Sequence, residues 1–116
     1  MRQVMMFGSL LFVAIAAGCA GSPALRTESS TSAIRAAEEV GASEVPRASF
    51  HLQLAREELA HAQDLGERGK KDEAASYLMR AEADAELAIL VSREEAEKLE
   101  AAQAMERVRQ LRSDSR

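Results

Sequence analysis

Two apolar seams on either side of a glycine-containing turn constrain the fold of this 116-residue chain most. In each seam Ala and Leu recur at alternating steps of four and three residues, the spacing that predicts a helix with one buried stripe. The first seam is Ala48, Leu52, Ala55, Leu59 and Ala62, and the second is Ala74, Leu78, Ala81, Ala85 and Ala88. One fold centre in the turn pairs all five positions in reverse order. The seams therefore predict an antiparallel helical hairpin.

The two helices of this hairpin are predicted to differ greatly in length. The shorter one runs from Pro46 to Leu65, and the turn covers residues 66–71. Asp72 is expected to cap the longer helix, which meets no Gly or Pro before the chain ends and is predicted to reach about Leu111. Because a helix rises about 1.5 Å per residue, this helix outruns its partner by several turns. Those turns require the first helix, another chain or water as their neighbour.

A further helix is predicted before the hairpin, from Thr31 to Val40, with Gly41 as its stop. It can fold back on the hairpin as a third helix, or it can extend the same rod by placing Ala37 against Leu99. We favour the first arrangement. The predicted fold class is all-α: an antiparallel helical hairpin with an extra N-terminal helix, forming an elongated three-helix bundle, and a long C-terminal helix. The many Ala residues bury little area each, which predicts modest stability.

The N-terminal segment is typical of an export signal. Arg2 is followed by an apolar run over residues 4–15, which is too short to span a bilayer as a helix. Small residues then precede Cys19, as in the bacterial lipobox, although Ala16 stands where that motif usually has Leu. We therefore predict a lipoprotein signal peptide over residues 1–18 and lipidation at Cys19. An ordinary cleavage site that releases a soluble periplasmic protein and an uncleaved signal anchor are the alternatives.

The signal also predicts where the chain resides and how it is divided. Ala20, rather than Asp, follows the cysteine, which resembles an outer-membrane sorting signal. The expected location is the outer membrane, lipid-anchored and facing the periplasm. Residues 19–30 are expected to form a lipidated flexible tether because they are rich in Gly, Ser and Thr, and residues 31–116 are expected to form the helical domain.

Composition and spacing disfavour most kinds of chemistry. The formal net charge of −4 argues against a nucleic-acid partner. Cys19 is the only cysteine, which excludes an intramolecular disulfide and a cysteine metal cluster. The glycines and lysines of the turn lack the spacing and the Ser or Thr of a phosphate-binding loop. We therefore expect no catalytic residue, no cofactor and no metal, and a protein that is not an enzyme.

The two histidines are the remaining candidates for metal binding or catalysis. His51 and His61 are ten residues apart and are therefore poorly aligned on one helix. His61 has carboxylates one turn away on both sides, which allows either a metal site or, as we favour, a solvated ion-pair face; these are Glu57, Glu58 and Asp64. Nucleophilic catalysis would require a Ser or Cys beside a histidine; apart from Ser49 the serines lie away from both histidines, and Ser49 and His51, two residues apart, do not face each other on a helix.

Apolar residues continue along the second half of the long helix. Residues of this kind are Leu90, Val91, Leu99, Met105, Val108 and Leu111. They can form a core with the first helix, or they can form a seam for a protein partner or for self-association. Met105 and Val108 lie where the first helix is not expected to reach. We therefore select Leu99, Met105 and Val108 as the candidate partner seam.

Four segments of the chain resemble bacterial lipoproteins that carry domain of unknown function 4398. They are Ala42-Ser43-Glu44-Val45-Pro46, Leu54-Ala55-Arg56-Glu57-Glu58-Leu59, Gly69-Lys70-Lys71-Asp72-Glu73-Ala74 and Ala81-Glu82-Ala83-Asp84-Ala85-Glu86-Leu87-Ala88. The resemblance implies export and frequent lipidation, and it implies no enzymatic activity.

Three functions are compatible with these observations. The first is an outer-membrane lipoprotein whose periplasmic helical domain is a non-enzymatic scaffold or adaptor in the cell envelope. The second is a self-associating coiled-coil lipoprotein that links membrane and cell wall. The third is a small periplasmic ligand- or metal-binding protein. We favour the first, with the membrane contacted through the lipid on Cys19 and a protein partner, or a second copy, contacted through the helices.

Overall fold

Residues 27–116 fold as three α-helices joined by short connections. The computed structural model describes residues 27–116, so the predicted signal peptide, Cys19 and most of the predicted tether lie outside it. Helix α1 spans Glu28–Glu39, a 3₁₀ turn spans Ala42–Glu44, α2 spans Pro46–Glu67 and α3 spans Lys71–Asp114. The described residues contain no strand. The all-α prediction and the long C-terminal helix are therefore confirmed.

Glycines in the left-handed region end the first two helices. Gly41 and Gly69 both have φ of +76°, a conformation that side chains with a Cβ disfavour. After α2 the amide of Lys70 donates to the carbonyl of Leu65 at 2.9 Å, and that of Gly69 donates to Gly66 at 3.0 Å. This pair of bonds is a Schellman motif, which satisfies the last carbonyls of the helix. Pro46 opens α2, where its missing amide costs nothing.

The predicted seams form the core between α2 and α3. Nine of their ten side chains are buried, and Leu59 is partly buried. Polar contacts across the hairpin show the same antiparallel register. Nδ1 of His51 lies 3.0 Å from Oδ1 of Asp84, and Nε of Arg80 lies 3.0 Å from Oε1 of Glu58. The predicted hairpin is thus confirmed.

Helix α1 packs on the hairpin as a third helix. Ile34 and Ala37 are buried against it. The Ser30 hydroxyl donates to the Leu78 carbonyl at 2.9 Å, which places the start of α1 beside the first third of α3. The other end of α1 is tied to α2 by an ion pair between Glu38 and Arg56. The helices therefore run up, down and up, and the alternative of one extended rod is wrong.

The predicted starts of α1 and α3 differ from the structure, and α2 continues two residues beyond its predicted end, to Glu67. Helix α1 begins at Glu28 rather than Thr31, so the last three residues assigned to the tether are helical. The buried hydrogen bond of Ser30 explains the difference, because it anchors this turn to α3. Asp72 does not cap α3; it lies inside the first turn, after Lys71, and its carboxylate is near the positive end of the helix dipole.

The last part of α3 extends beyond the bundle. Val91 and Ser92 are the last buried residues of the helix. From Ala96 to Asp114 every residue is exposed except Ala104, which is half-buried. We call residues 96–114 the overhang. At roughly 1.5 Å per residue it is about 28 Å long.

Candidate functional site

The base of the overhang is fixed by a cluster of charged side chains. Arg47, at the start of α2, lies 4.0 Å from both Glu94 and Glu95. Lys98 lies 2.6 Å from Glu94 and 3.2 Å from Glu95. The hydrogen bond and charge of Lys98 lower the pKa of Glu94, and the two carboxylates raise the pKa of Lys98. These surface pairs support the helix as it leaves the bundle.

The overhang carries large apolar side chains that contact water. The exposed fractions are 61% for Leu99, 64% for Met105, 48% for Val108 and 69% for Leu111. Helix α1 covers none of them, so the prediction that they form a core with the first helix is wrong. Of the six apolar residues considered for such a core, only Val91 is buried, since Leu90 is also exposed. Large apolar groups in a cluster on a protein surface are typical of an interaction site.

The helix does not bring all three predicted seam residues to one face. Leu99 and Val108 are nine residues apart, which is about two and a half turns, so they lie on opposite sides of α3. Leu99 lies on the side of α3 that packs on the core within the bundle. Further along the overhang this side is polar, with Gln103, Glu106 and Gln110. Of the predicted seam, only Met105 and Val108 share a face.

Those two residues belong to a stripe on the opposite side of the overhang. We call it the distal stripe; its members share one face at helical spacing and are Ala101, Ala104, Met105, Val108 and Leu111. A shallow depression in this face is lined by Ala104, Met105 and Val108, with Arg109 and Arg112 at its edge. The steps of three and four between Ala101, Ala104, Val108 and Leu111 were the sequence signal for this face.

Charges are unevenly distributed along the overhang. Its first part carries Glu97 and Glu100 with Lys98, and its last part carries three arginines, Arg107, Arg109 and Arg112, with Glu106 and Asp114. Arg109 pairs with Glu106 at 2.9 Å. Within residues 27–116, the side chains of Glu97, Glu100, Arg107 and Arg112 have no ion-pair or hydrogen-bond partner. The overhang thus presents an acidic half and a basic half beside an apolar stripe.

A second polar cluster lies on the hairpin itself. The side chain of Glu58 is nearly buried between α2 and α3, and its Oε2 has no hydrogen-bond partner. Burial and the nearby charge of Asp84 raise the pKa of Glu58, and Arg80 opposes this shift. Asp84 in turn contacts His51. Sequence analysis missed this cluster, although the register of the seams places its members opposite one another.

The histidines lie in ordinary packing contacts. His61 makes an edge contact with Tyr77, with ring centroids 4.4 Å apart, and Arg80 lies over the same Tyr77 ring. The depression beside them is open to solvent. No group of three or more His, Cys, Asp or Glu side chains in residues 27–116 is arranged to hold a metal ion.

Comparison with known families assigns the described part of the chain to one family. The family model described as Domain of unknown function (DUF4398) matches residues 26–114, which include all three helices and the overhang. The chain belongs to this family. No curated protein and no solved structure matches this family member. None of the helices described is long and apolar enough to cross a bilayer.

Proposed function

We propose that the chain is an outer-membrane lipoprotein, anchored through Cys19, whose periplasmic helical domain is a non-enzymatic scaffold or adaptor in the cell envelope. The observation that carries this proposal is the overhang. A helix that leaves its bundle for about 28 Å, with a distal apolar stripe exposed to water, presents a surface for another protein.

The direction of the chain supports this role. Thr27, the last residue before α1, lies beside Gln63, Gly66 and Glu67 at the turn end of the hairpin. A tether that starts at Cys19 therefore reaches the body at the end opposite the overhang. The bundle then acts as a spacer that holds the distal stripe away from the anchored end.

Anchoring also has an energetic consequence. The distal stripe is narrow and two of its five members are Ala, so a single contact with a partner is weak. Confinement of both partners to one membrane raises their effective concentration without any new contact. A weak helical surface is therefore sufficient in an anchored protein.

The anchor is tested first. Cells that express the full chain are labelled with a clickable palmitate analogue, and the protein is followed in inner- and outer-membrane fractions. We expect label in the parent chain and in the outer-membrane fraction, and loss of both in Cys19→Ser. Unlabelled parent chain in the soluble periplasmic fraction would contradict the proposed anchor.

The interaction surface is tested separately. A photo-crosslinking amino acid replaces Met105, and the matched control replaces Gln103, which lies at the same height on the opposite side of α3. We expect a protein adduct at Met105 and a much weaker one at Gln103. Equal labelling at both positions, or none, would contradict the proposed role of the distal stripe.

A further inference from the structure

We infer that the distal stripe binds the distal stripe of a second copy of this chain, with the two overhangs antiparallel and centred between Ala104 and Met105. This inference rests on the proposed function, because it names the partner of the same surface. It is drawn from four features of the overhang: the order of its apolar side chains, its unpaired charges, its length and its direction.

The apolar side chains are complementary to themselves in this arrangement. When the two helices run in opposite directions about that centre, Ala101 lies opposite Val108 of the second copy. Ala104 lies opposite Met105 of the second copy, and symmetry repeats both pairs. Each layer then combines a small side chain with a large one. Small residues let helix backbones approach closely, and the large side chains fill the space beside them.

The unpaired charges match in the same register. Glu97 lies opposite Arg112 of the second copy, and Glu100 lies near Arg107 of the second copy. Among the charged side chains of residues 97–112, these are the four that have no ion-pair partner in their own chain. Lys98, the cation of the acidic half, is already held by Glu94 and Glu95. A parallel pair would instead place like charges beside one another.

The length of the overhang fits this overlap. The register uses residues 97–112, about 24 Å of helix. The last buried residues of the bundle, Val91 and Ser92, come before this segment. The body of each copy therefore lies beyond the tip of the other, and the two bundles do not collide. The distal stripe also faces away from the side of α3 that packs on α2.

The strength of this contact is expected to depend on the membrane. One helix pair of this length buries less than the roughly 1,200–2,000 Å² of a stable interface. The dimer is therefore weak in dilute solution. Two copies held on one membrane meet at a higher effective concentration, which shifts the equilibrium toward the pair.

Cysteine crosslinking in membranes tests both the pair and its direction. Full-length variants Met105→Cys and Gln103→Cys are treated in cells with a short bis-maleimide, and the parent chain, which retains Cys19, gives the background. We expect a homodimer adduct at Met105, which lies near the symmetry axis, at several times the yield at Gln103. Both residues are exposed, so neither change disturbs the bundle.

The direction is read from a second pair of variants. Glu97→Cys and Arg112→Cys are expressed separately and together. An antiparallel pair gives an adduct only when both are present, because two copies of either site are more than 20 Å apart along the helices, by roughly 1.5 Å per residue. Adducts of Glu97→Cys with itself would show a parallel pair and overturn the inference.

Two further results would also overturn it. The first is the absence of a homodimer adduct at Met105. The second is an adduct at Met105 with a different protein only, which would leave the proposed scaffold or adaptor role intact. The failure of the self-pairing and the failure of the proposed function are thus distinguished by the identity of the crosslinked product.

Discussion

At the scale of single residues, Glu58 is the group in the bundle whose burial is least compensated by polar contacts. It is an acid placed between two helices, with one carboxylate oxygen that has no hydrogen-bond partner. Asp84 increases the cost of ionising it, and Arg80 only partly compensates. Because burial disfavours the charged form, Glu58 links the stability of the bundle to pH.

The sign of this linkage gives a prediction. The folded-state pKa of Glu58 is raised above its usual 4.5, so its contribution to stability is fully present below that value and is lost as the pH rises through the folded pKa. Gln does not titrate, so a Gln at this position loses no stability as the pH rises. We therefore expect Glu58→Gln to raise the melting temperature relative to the parent near pH 8.

Thermal unfolding by circular dichroism at about pH 4 and about pH 8 measures this difference. The gain in melting temperature should shrink at the lower pH, where the Glu58 carboxyl of the parent chain is protonated. Glu57→Gln is the matched control, because Glu57 is exposed and only accepts a hydrogen bond from Gln53. A variant Glu58→Gln that melts below the parent near pH 8 would show that the ion pair with Arg80 outweighs burial.

At the scale of the helices, sequence periodicity predicted the bundle better than it predicted the overhang. The seams of α2 and α3 alternate steps of four and three residues, which keep one helix face buried. The hairpin predicted from these seams is the one observed. The candidate partner seam in the overhang, Leu99, Met105 and Val108, has steps of six and three residues, and such steps wind around a helix of about 3.6 residues per turn. Leu99 and Val108 were therefore joined in one seam although they lie on opposite sides.

Other features of the helices depended on long-range contacts that periodicity does not contain. The start of α1 at Glu28 follows from the bond between Ser30 and the Leu78 carbonyl, far apart in the chain. The pair of His51 and Asp84 follows from the hairpin register, yet neither residue has an apolar side chain that would mark it as a seam position. The glycine stops, in contrast, are local and were predictable.

Two valines of α3 separate the bundle from the overhang experimentally. Val91 is buried in the core, and Val108 is half exposed on the distal stripe. We expect Val91→Ala to lower the free energy of unfolding by roughly 1–3 kcal/mol, as removal of buried methyl groups does. Val108→Ala should leave it unchanged within about 0.5 kcal/mol.

Chemical denaturation of dilute protein, followed at the helical signal, measures both values. The two substitutions are identical in chemistry and lie in one helix, so each controls for the other. A large loss for Val108→Ala under these conditions would show that the overhang packs on its own bundle, and the distal stripe would not be a free surface.

At the scale of the whole molecule, the described residues have two distinct ends. Thr27, the first of them, lies at the turn end of the hairpin, and the overhang leaves from the other end. Between them the bundle is a thin, Ala-rich spacer. Antiparallel pairing of two overhangs would place the two proposed anchors at opposite ends of a long, symmetric assembly, which lies along the membrane surface when both anchors are in one membrane.

The central claim, that two copies pair through complementary halves of the overhang, is tested most directly by charge reversal. Glu97 and Glu100 are changed to Arg in one full-length variant, and Arg107 and Arg112 are changed to Glu in another, both with Met105→Cys for crosslinking in membranes. We predict that each variant alone loses most of its homodimer adduct and that co-expression of the two restores it. Adducts that persist in each variant alone, or that fail to return in the mixture, would contradict the account.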